Sequence, residues 1–163
     1  PWYNKGYILR EAKKLQPWII NWISKNFIIH KKKFKCADKI FIDRSESKFN
    51  HCQFINNDQI IDFLKDRGFS IFRTGKLSVA KQIYLFYNAK IIIGAHGAAF
   101  ANLVFCKPGT KIIEVMPNKH PNEVSKTISK EKKLNYNLIK TKNLKNKDNG
   151  DIYLPINVLK KYL

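Results

Sequence analysis

The stretch Ile91-Ile92-Ile93-Gly94-Ala95-His96-Gly97-Ala98-Ala99-Phe100-Ala101-Asn102-Leu103-Val104-Phe105 decides the fold. Its three consecutive isoleucines suit a strand buried on both faces of a parallel sheet. The run breaks into glycine and histidine between 94 and 97, then restarts from 98 to 106 as a helical pattern of small and apolar residues. A parallel strand that ends in glycines lets the backbone approach a bound group, and the helix after it offers unpaired N–H groups to an anion. The stretch reads as a ligand cradle. His-Gly-Ala alone is a weak signal, because small residues also end strands for steric reasons.

The same alternation continues on both sides. Strands are predicted over 39–43, 70–73, 90–94, 111–115 and 137–141, and helices over 56–67 (ended by Gly68), 78–88, 98–106 and 121–134. Continuous Ile and Val strands alternating with helices define an α/β chain with a parallel sheet covered on both faces. Upstream, the spacing of Leu15, Trp18, Ile19, Trp22 and Ile23 predicts a helix over 8–26 with those residues on its buried face. The basic run 30–35 reads as an exposed linker. Downstream, 142–150 is a polar loop and 158–163 a closing helix entered at Pro155. The division expected is an N-terminal helix and linker over 1–35 and one nucleotide-binding-type domain over 36–163.

A length of 163 residues suits a single core, and 44% hydrophobic with 13% aromatic residues excludes general disorder. Lys and Arg number 31 against 12 Asp and Glu, a net charge of +19. Such an excess suits a phosphate backbone or an acidic membrane leaflet. The cations are mostly lysines scattered among Ile and Asn, a bias that AT-rich coding DNA also produces, and no nucleic-acid-binding motif accompanies them. An anionic membrane surface is kept as a partner class, and nucleic acid stays as the less favoured reading, which steeply salt-dependent DNA or RNA affinity would support. Cys36, Cys52 and Cys106 show no Cys-x-x-Cys spacing, which argues against a disulfide framework or zinc site and for reduced thiols in a cytoplasmic, membrane-peripheral setting. The apolar run 17–29 is interrupted by Asn21, Lys25 and Asn26 and is too short to span a bilayer. The chain opens at Pro1, as a fragment of a longer protein would.

In an open parallel sheet ligands bind beyond the carboxyl ends of the strands. The residues there are Asp43 and Arg44, then Arg73 to Lys76, then His96, Gly97 and Ala98, and, near the end of the fourth strand, Glu114. Cations, an imidazole, glycine turns and a carboxylate are the chemistry wanted by a nucleoside diphosphate. Arg44 offers a planar donor fork to phosphate, or pairs on the surface with Asp43 or Glu46. His96 donates to a phosphate oxygen or steadies a departing diphosphate; otherwise it only shapes the turn. Asn102 contacts ligand or ties the loop before it. Glu114, inside an apolar strand, needs a partner, which ribose hydroxyls would supply. Ser78 is a predicted N-cap, with Lys81 where a capping box carries Glu.

From 39 to the C-terminus these residues, in order, resemble the glycosyltransferase 61 family. The resemblance rests on a strand followed by Arg44, then Asn56 opening a helix, Ser78 with Gln82 and Ala89, His96-Gly97-Ala98 with Asn102 and Phe105, Pro108-Gly109, Glu114, and the closing Asp151-Ile152 with Leu159. Three departures stand out. Ala99-Phe100-Ala101 replaces the common Gly-Leu-Thr, an arginine usual before the Asn56 position is missing among His51, Cys52 and Gln53, and Lys81 replaces the capping Glu. The resemblance implies the C-terminal, donor-binding half of a GT-B enzyme, in which two Rossmann-like domains face each other and no metal cofactor is required. It implies inverting transfer from a nucleotide sugar, probed first with UDP-linked donors, to a glycan or lipid-linked acceptor, as in capsule and other polysaccharide biosynthesis. Carried over residue by residue, Arg44, Gln82, His96, Gly97, Ala98, Asn102 and Glu114 form the nucleotide-sugar site, with His96 the catalytic candidate and the acceptor-side base in the other half. The departures and the charge of +19 keep a second reading open, a non-catalytic Rossmann-like scaffold or anionic-polymer-binding module.

Overall fold

The computed structural model of the chain describes residues 15–27, 34, 37–46, 52–118, 124–141 and 150–163. In chain order the elements are α1 (Pro17–Phe27), β1 (Lys39–Ile42), α2 (Asn57–Lys65), β2 (Ser70–Phe72), a 3-10 turn (Thr74–Lys76), α3 (Val79–Asn88), β3 (Ile91–Ala95), a 3-10 helix (Ala98–Phe105), β4 (Lys111–Pro117), α4 (Val124–Glu131), β5 (Asn135–Thr141) and α5 (Ile156–Lys160). The strands form one sheet in the order β2-β1-β3-β4-β5, and every pairing is parallel. The chain leaves β1 toward one edge for β2 and then returns to the other side for β3, so the direction of winding reverses between β1 and β3. A crevice opens beyond the strand ends at such a switch point.

Strand periodicity explains the two covered faces. Ile40, Ile42, Ile92 and Ile112 point to one side, where they pack with Ile20 of α1, Ile83 and Phe86 of α3, Phe100 and Leu103 of the 3-10 helix and Ile128 of α4. Phe41, Ile93, Ile113 and Val115 point to the other, against Ile60 and Leu64 of α2, Leu159 of α5 and the segment carrying Ile152 and Leu154. Both sides of each central strand are therefore buried, which is why these strands carry no polar alternation. The expected α/β parallel sheet with helices on both faces is what the chain forms.

Several elements differ from expectation, among them the closing helix, which spans Ile156–Lys160 rather than 158–163. First, on α1 the buried residues are Ile20 and Ser24, with Leu15 and Ile23 packed beside them, while Trp18 and Trp22 are 67% and 55% exposed. The reason is docking. Asn21 Nδ2 donates to Glu131 Oε1 (2.8 Å) and Lys132 Nζ to Ser24 Oγ (2.5 Å), so the helix turns its 20/24 stripe inward and its tryptophans outward. Second, 98–105 is a 3-10 helix rather than an α-helix. Eight residues at about 2.0 Å each span roughly 16 Å, the length of a five-residue strand, so the tighter helix carries the chain back along β3 where an α-helix would reach only about 12 Å. Third, β4 runs on to Pro117. Fourth, β5 begins at Asn135. The expected helical start at 8–14, the helix start at 121–123 and most of the polar loop at 142–149 lie outside the described residues, as does the basic run apart from Phe34, which stacks edge-on against Tyr84.

The closing segment is tied in by Asn56. Its side-chain amide donates to Leu154 O (2.9 Å) and accepts from Leu154 N (3.2 Å), while Phe54 and Ile152 form a parallel bridge.

Candidate functional site

Arg44 follows β1 and His96-Gly97 follows β3, so the two strand ends flanking the switch point supply them. Their relation is intimate. A Cβ built on Gly97 would lie 1.1 Å from Arg44 Nη1 and 2.3 Å from its Cζ, so the guanidinium occupies the space that any other residue at 97 would fill with its side chain. Gly97 is extended there, at φ 165, and close approach rather than backbone strain is what calls for glycine. Arg44 is half-buried, and burial lowers the pKa of its guanidinium while the neighbouring Cys52 acts in the opposite sense. Arginine still remains a cation at neutral pH. Gly94, one turn of the pleat below, is also a close-approach position, since a Cβ would meet Ile42 Cβ at 3.1 Å and Phe100 Cε2 at 3.2 Å.

His96 owes its orientation to Glu114. In the β3–β4 register Gly94 lies opposite Glu114, and two residues on, the imidazole comes back over it with Nδ1 2.6 Å from Glu114 Oε1. The carboxylate is 0% exposed. Ser125 Oγ donates to Oε1 (3.0 Å) and Tyr136 OH to Oε2 (2.6 Å). A buried carboxylate needs such donors, and here α4, β5 and the β3 turn provide them. Because β4 continues to Pro117, Glu114 sits within the strand below the rim, and the partners its burial demands come from inside the protein. One proton is shared along this Nδ1–Oε1 bond, and whichever group carries it, the contact fixes the orientation of the ring.

Gln82 and Asn102 bind each other. Asn102 Nδ2 donates to Gln82 Oε1 (2.9 Å) and to Ala99 O (3.1 Å), and Gln82 Nε2 donates to Thr74 O (3.0 Å) and Leu77 O (3.1 Å). This pair ties the β2–α3 loop to the 3-10 helix, the loop-tying alternative for Asn102. Ala98 is exposed beside Gly97. Ser78 caps α3 as expected, its side chain accepting from Lys81 N at 3.4 Å.

Asp43 is a second hub at the end of β1. Its buried carboxylate accepts from Ser45 N and Oγ (both 2.9 Å), Asn57 Nδ2 (3.2 Å) and Arg73 Nε (2.7 Å). Burial would raise its pKa, yet the hydrogen bonds from Arg73 and Ser45 outweigh it and hold the carboxyl below its ordinary value. Glu46 takes Arg73 Nη1 (3.2 Å) and Lys76 Nζ (2.7 Å). The acids weighed as surface partners for Arg44 are thus engaged by Arg73 and Lys76. Burial pushes the Cys52 thiol up to about 11, with the charge of Arg44 pulling it down and Glu114 and Asp151 adding to the rise.

Sequence reasoning named Asp43 and Arg73 at the rim but missed their pairing, and it missed Ser125 and Tyr136 as partners of Glu114 and Cys52 as a group that feels Arg44. One signal was present, since a Glu inside an apolar strand demands donors. It does not say which residues supply them.

A doubly wound parallel sheet of this order, with an arginine, an oriented histidine and a glycine at its switch point, has the architecture of Rossmann-like domains. A family profile described as Glycosyltransferase 61 matches residues 5–113, two thirds of the chain. The chain belongs to the glycosyltransferase 61 family, and glycosyl transfer is the general activity that membership carries. The match takes in α1, upstream of the span read from 39 onward, and ends just before Glu114. No curated protein matches the chain. Among the described residues no three His, Cys, Asp or Glu side chains gather in a way that would hold a metal ion, and no helix is long and apolar enough to cross a membrane.

Proposed function

We propose that this chain is the donor-binding domain of an inverting glycosyltransferase of GT-B type, which holds a nucleoside diphosphate sugar, UDP-linked in the first instance, at the β1/β3 switch point. The observation that carries the reading is the seating of the Arg44 guanidinium in the side-chain space of Gly97, next to the imidazole that Glu114 orients. Two donor groups thereby stand at the neighbouring ends of β1 and β3.

In inverting transfer an acceptor hydroxyl oxygen bonds to the anomeric carbon as the bond to the β-phosphate oxygen breaks. The electron pair of the broken bond ends on the diphosphate, and the hydroxyl proton passes to a base on the acceptor side. Charge therefore grows on the leaving group, where preorganised donors stabilise the transition state most. Arg44 meets it with a planar fork. His96 meets it through Nε2, and Glu114 behind the ring stabilises the imidazolium while fixing its orientation. Gly97 leaves room for the Arg44 guanidinium and Ala98 offers backbone beside it, while Gln82 and Asn102 act one step removed by holding the loop and the 3-10 helix. The acceptor is read as a glycan or lipid-linked saccharide.

Isothermal calorimetry with UDP, UDP-sugars and GDP-sugars tests this on the wild type and His96→Ala. Saturable binding of at least one ligand, weakened by the substitution, is expected. Binding of none, or binding that His96→Ala leaves intact, refutes the site.

A further inference from the structure

We propose that the outer face of α1 seats on an anionic membrane surface. Positions 18, 22 and 25 are spaced i, i+4, i+7 and form one stripe on the side opposite the buried Ile20 and Ser24. That stripe carries Trp18 (67% exposed), Trp22 (55% exposed) and Lys25, with Asn21 and Asn26 at its margins. Phe27, 48% exposed, stacks edge-on against Trp22 at 5.8 Å between centroids. Three large aromatic side chains thus face solvent on one eleven-residue helix. Exposed apolar groups clustered in this way mark an interaction surface.

The chemistry around them selects the occupant. Helix α1 contains no acidic residue, and residues 1–37 hold nine Lys or Arg against Glu11 alone. All three tryptophans of the chain, Trp2, Trp18 and Trp22, lie in this segment. The carboxylate docked against α1, Glu131, is held by Asn21 and flanked in sequence by Lys130, Lys132 and Lys133. A bare aliphatic stripe would suit another protein's core. Indole rings among lysines and asparagines instead suit the headgroup level of a bilayer, where amphipathic rings sit at the interface and each lysine gains from anionic lipid. The net charge of +19 supplies long-range attraction to such a leaflet, and α1 supplies the contact.

Sedimentation with vesicles of phosphatidylcholine alone, and of phosphatidylcholine with 30% phosphatidylserine, tests the proposal alongside tryptophan emission. Binding to the anionic vesicles with a blue shift is expected, and Trp18→Ser/Trp22→Ser should weaken it by at least about tenfold, because two rings lose their interfacial burial. That variant should keep the wild-type circular dichroism and the wild-type affinity for UDP, so the outcome is independent of the donor site. Failure to bind anionic vesicles overturns the proposal. So does binding that the double substitution leaves unchanged, which would be charge attraction without the helix face. A concentration-dependent dimer or a stable protein complex abolished by the same substitutions would assign the face to protein instead.

Discussion

Replacing Gly97 by alanine should empty the candidate site of its arginine while leaving the fold in place. The added carbon would stand 1.1 Å from Arg44 Nη1. Ordinary contact requires about 3.5 Å, so the guanidinium must retreat by roughly 2.4 Å. Charge-assisted hydrogen bonds of about 2.7–2.9 Å to a phosphate do not survive such a displacement. Hydrogen bonds to charged groups contribute about 1.5–3 kcal/mol, so the Kd for UDP should rise roughly ten- to 150-fold. The atoms that must move are the far end of a flexible side chain and the backbone at 97 is extended, so the melting temperature should change little. Gly75→Ala, where a Cβ meets nothing within 4 Å, is the matched control. Calorimetry on Gly97→Ala, Arg44→Ala and the double variant closes the cycle: if alanine acts through Arg44, the double variant binds no more weakly than Arg44→Ala. Wild-type affinity in Gly97→Ala, or strictly additive losses, would refute the coupling of the two residues.

Four other outcomes are expected. Tyr136→Phe removes a donor from the buried Glu114 and should cost about 1–3 kcal/mol by denaturant unfolding, while nitrogen NMR should find the His96 proton on Nδ1 in the wild type and lose that preference in Glu114→Gln. Asp43, held below its ordinary 3.8, contributes stability that is present above that value and lost as pH falls through its lowered folded value; Arg73→Ala, which removes a cause of the lowering, should move the acid-unfolding midpoint upward. Asn56→Ala deletes both bonds to the Leu154 backbone and should cost about 1–3 kcal/mol, with faster proteolysis near 150–155 as the direct readout.

The parallel sheet was legible because its cause is local. Ile91 to Ile93 and Ile112 to Ile113 are apolar on every position, and only a strand covered on both faces asks for that. The strand ends followed, and with them Arg44 and His96 as rim residues; the strand order that makes them neighbours across a switch point came from the tertiary structure. The family pattern was legible too, since it is an order of residues along the chain.

What the sequence left open concerns rotation and reach. The apolar spacing on α1 allows either the Trp18/Trp22 stripe or the Ile20/Ser24 stripe to turn inward, and contact with Asn21, Glu131 and Lys132 chose the latter. Glu114 demanded partners from anywhere in the chain; only folding brought Ser125 and Tyr136 to it, and so made it the support for His96. Gly97 looked like a residue for phosphate to approach, and the packed structure shows that an arginine side chain fills the space first. Backbone pattern is written in neighbours along the chain and can be read from them. Side-chain partnerships form between residues far apart in sequence, and only the tertiary structure decides them.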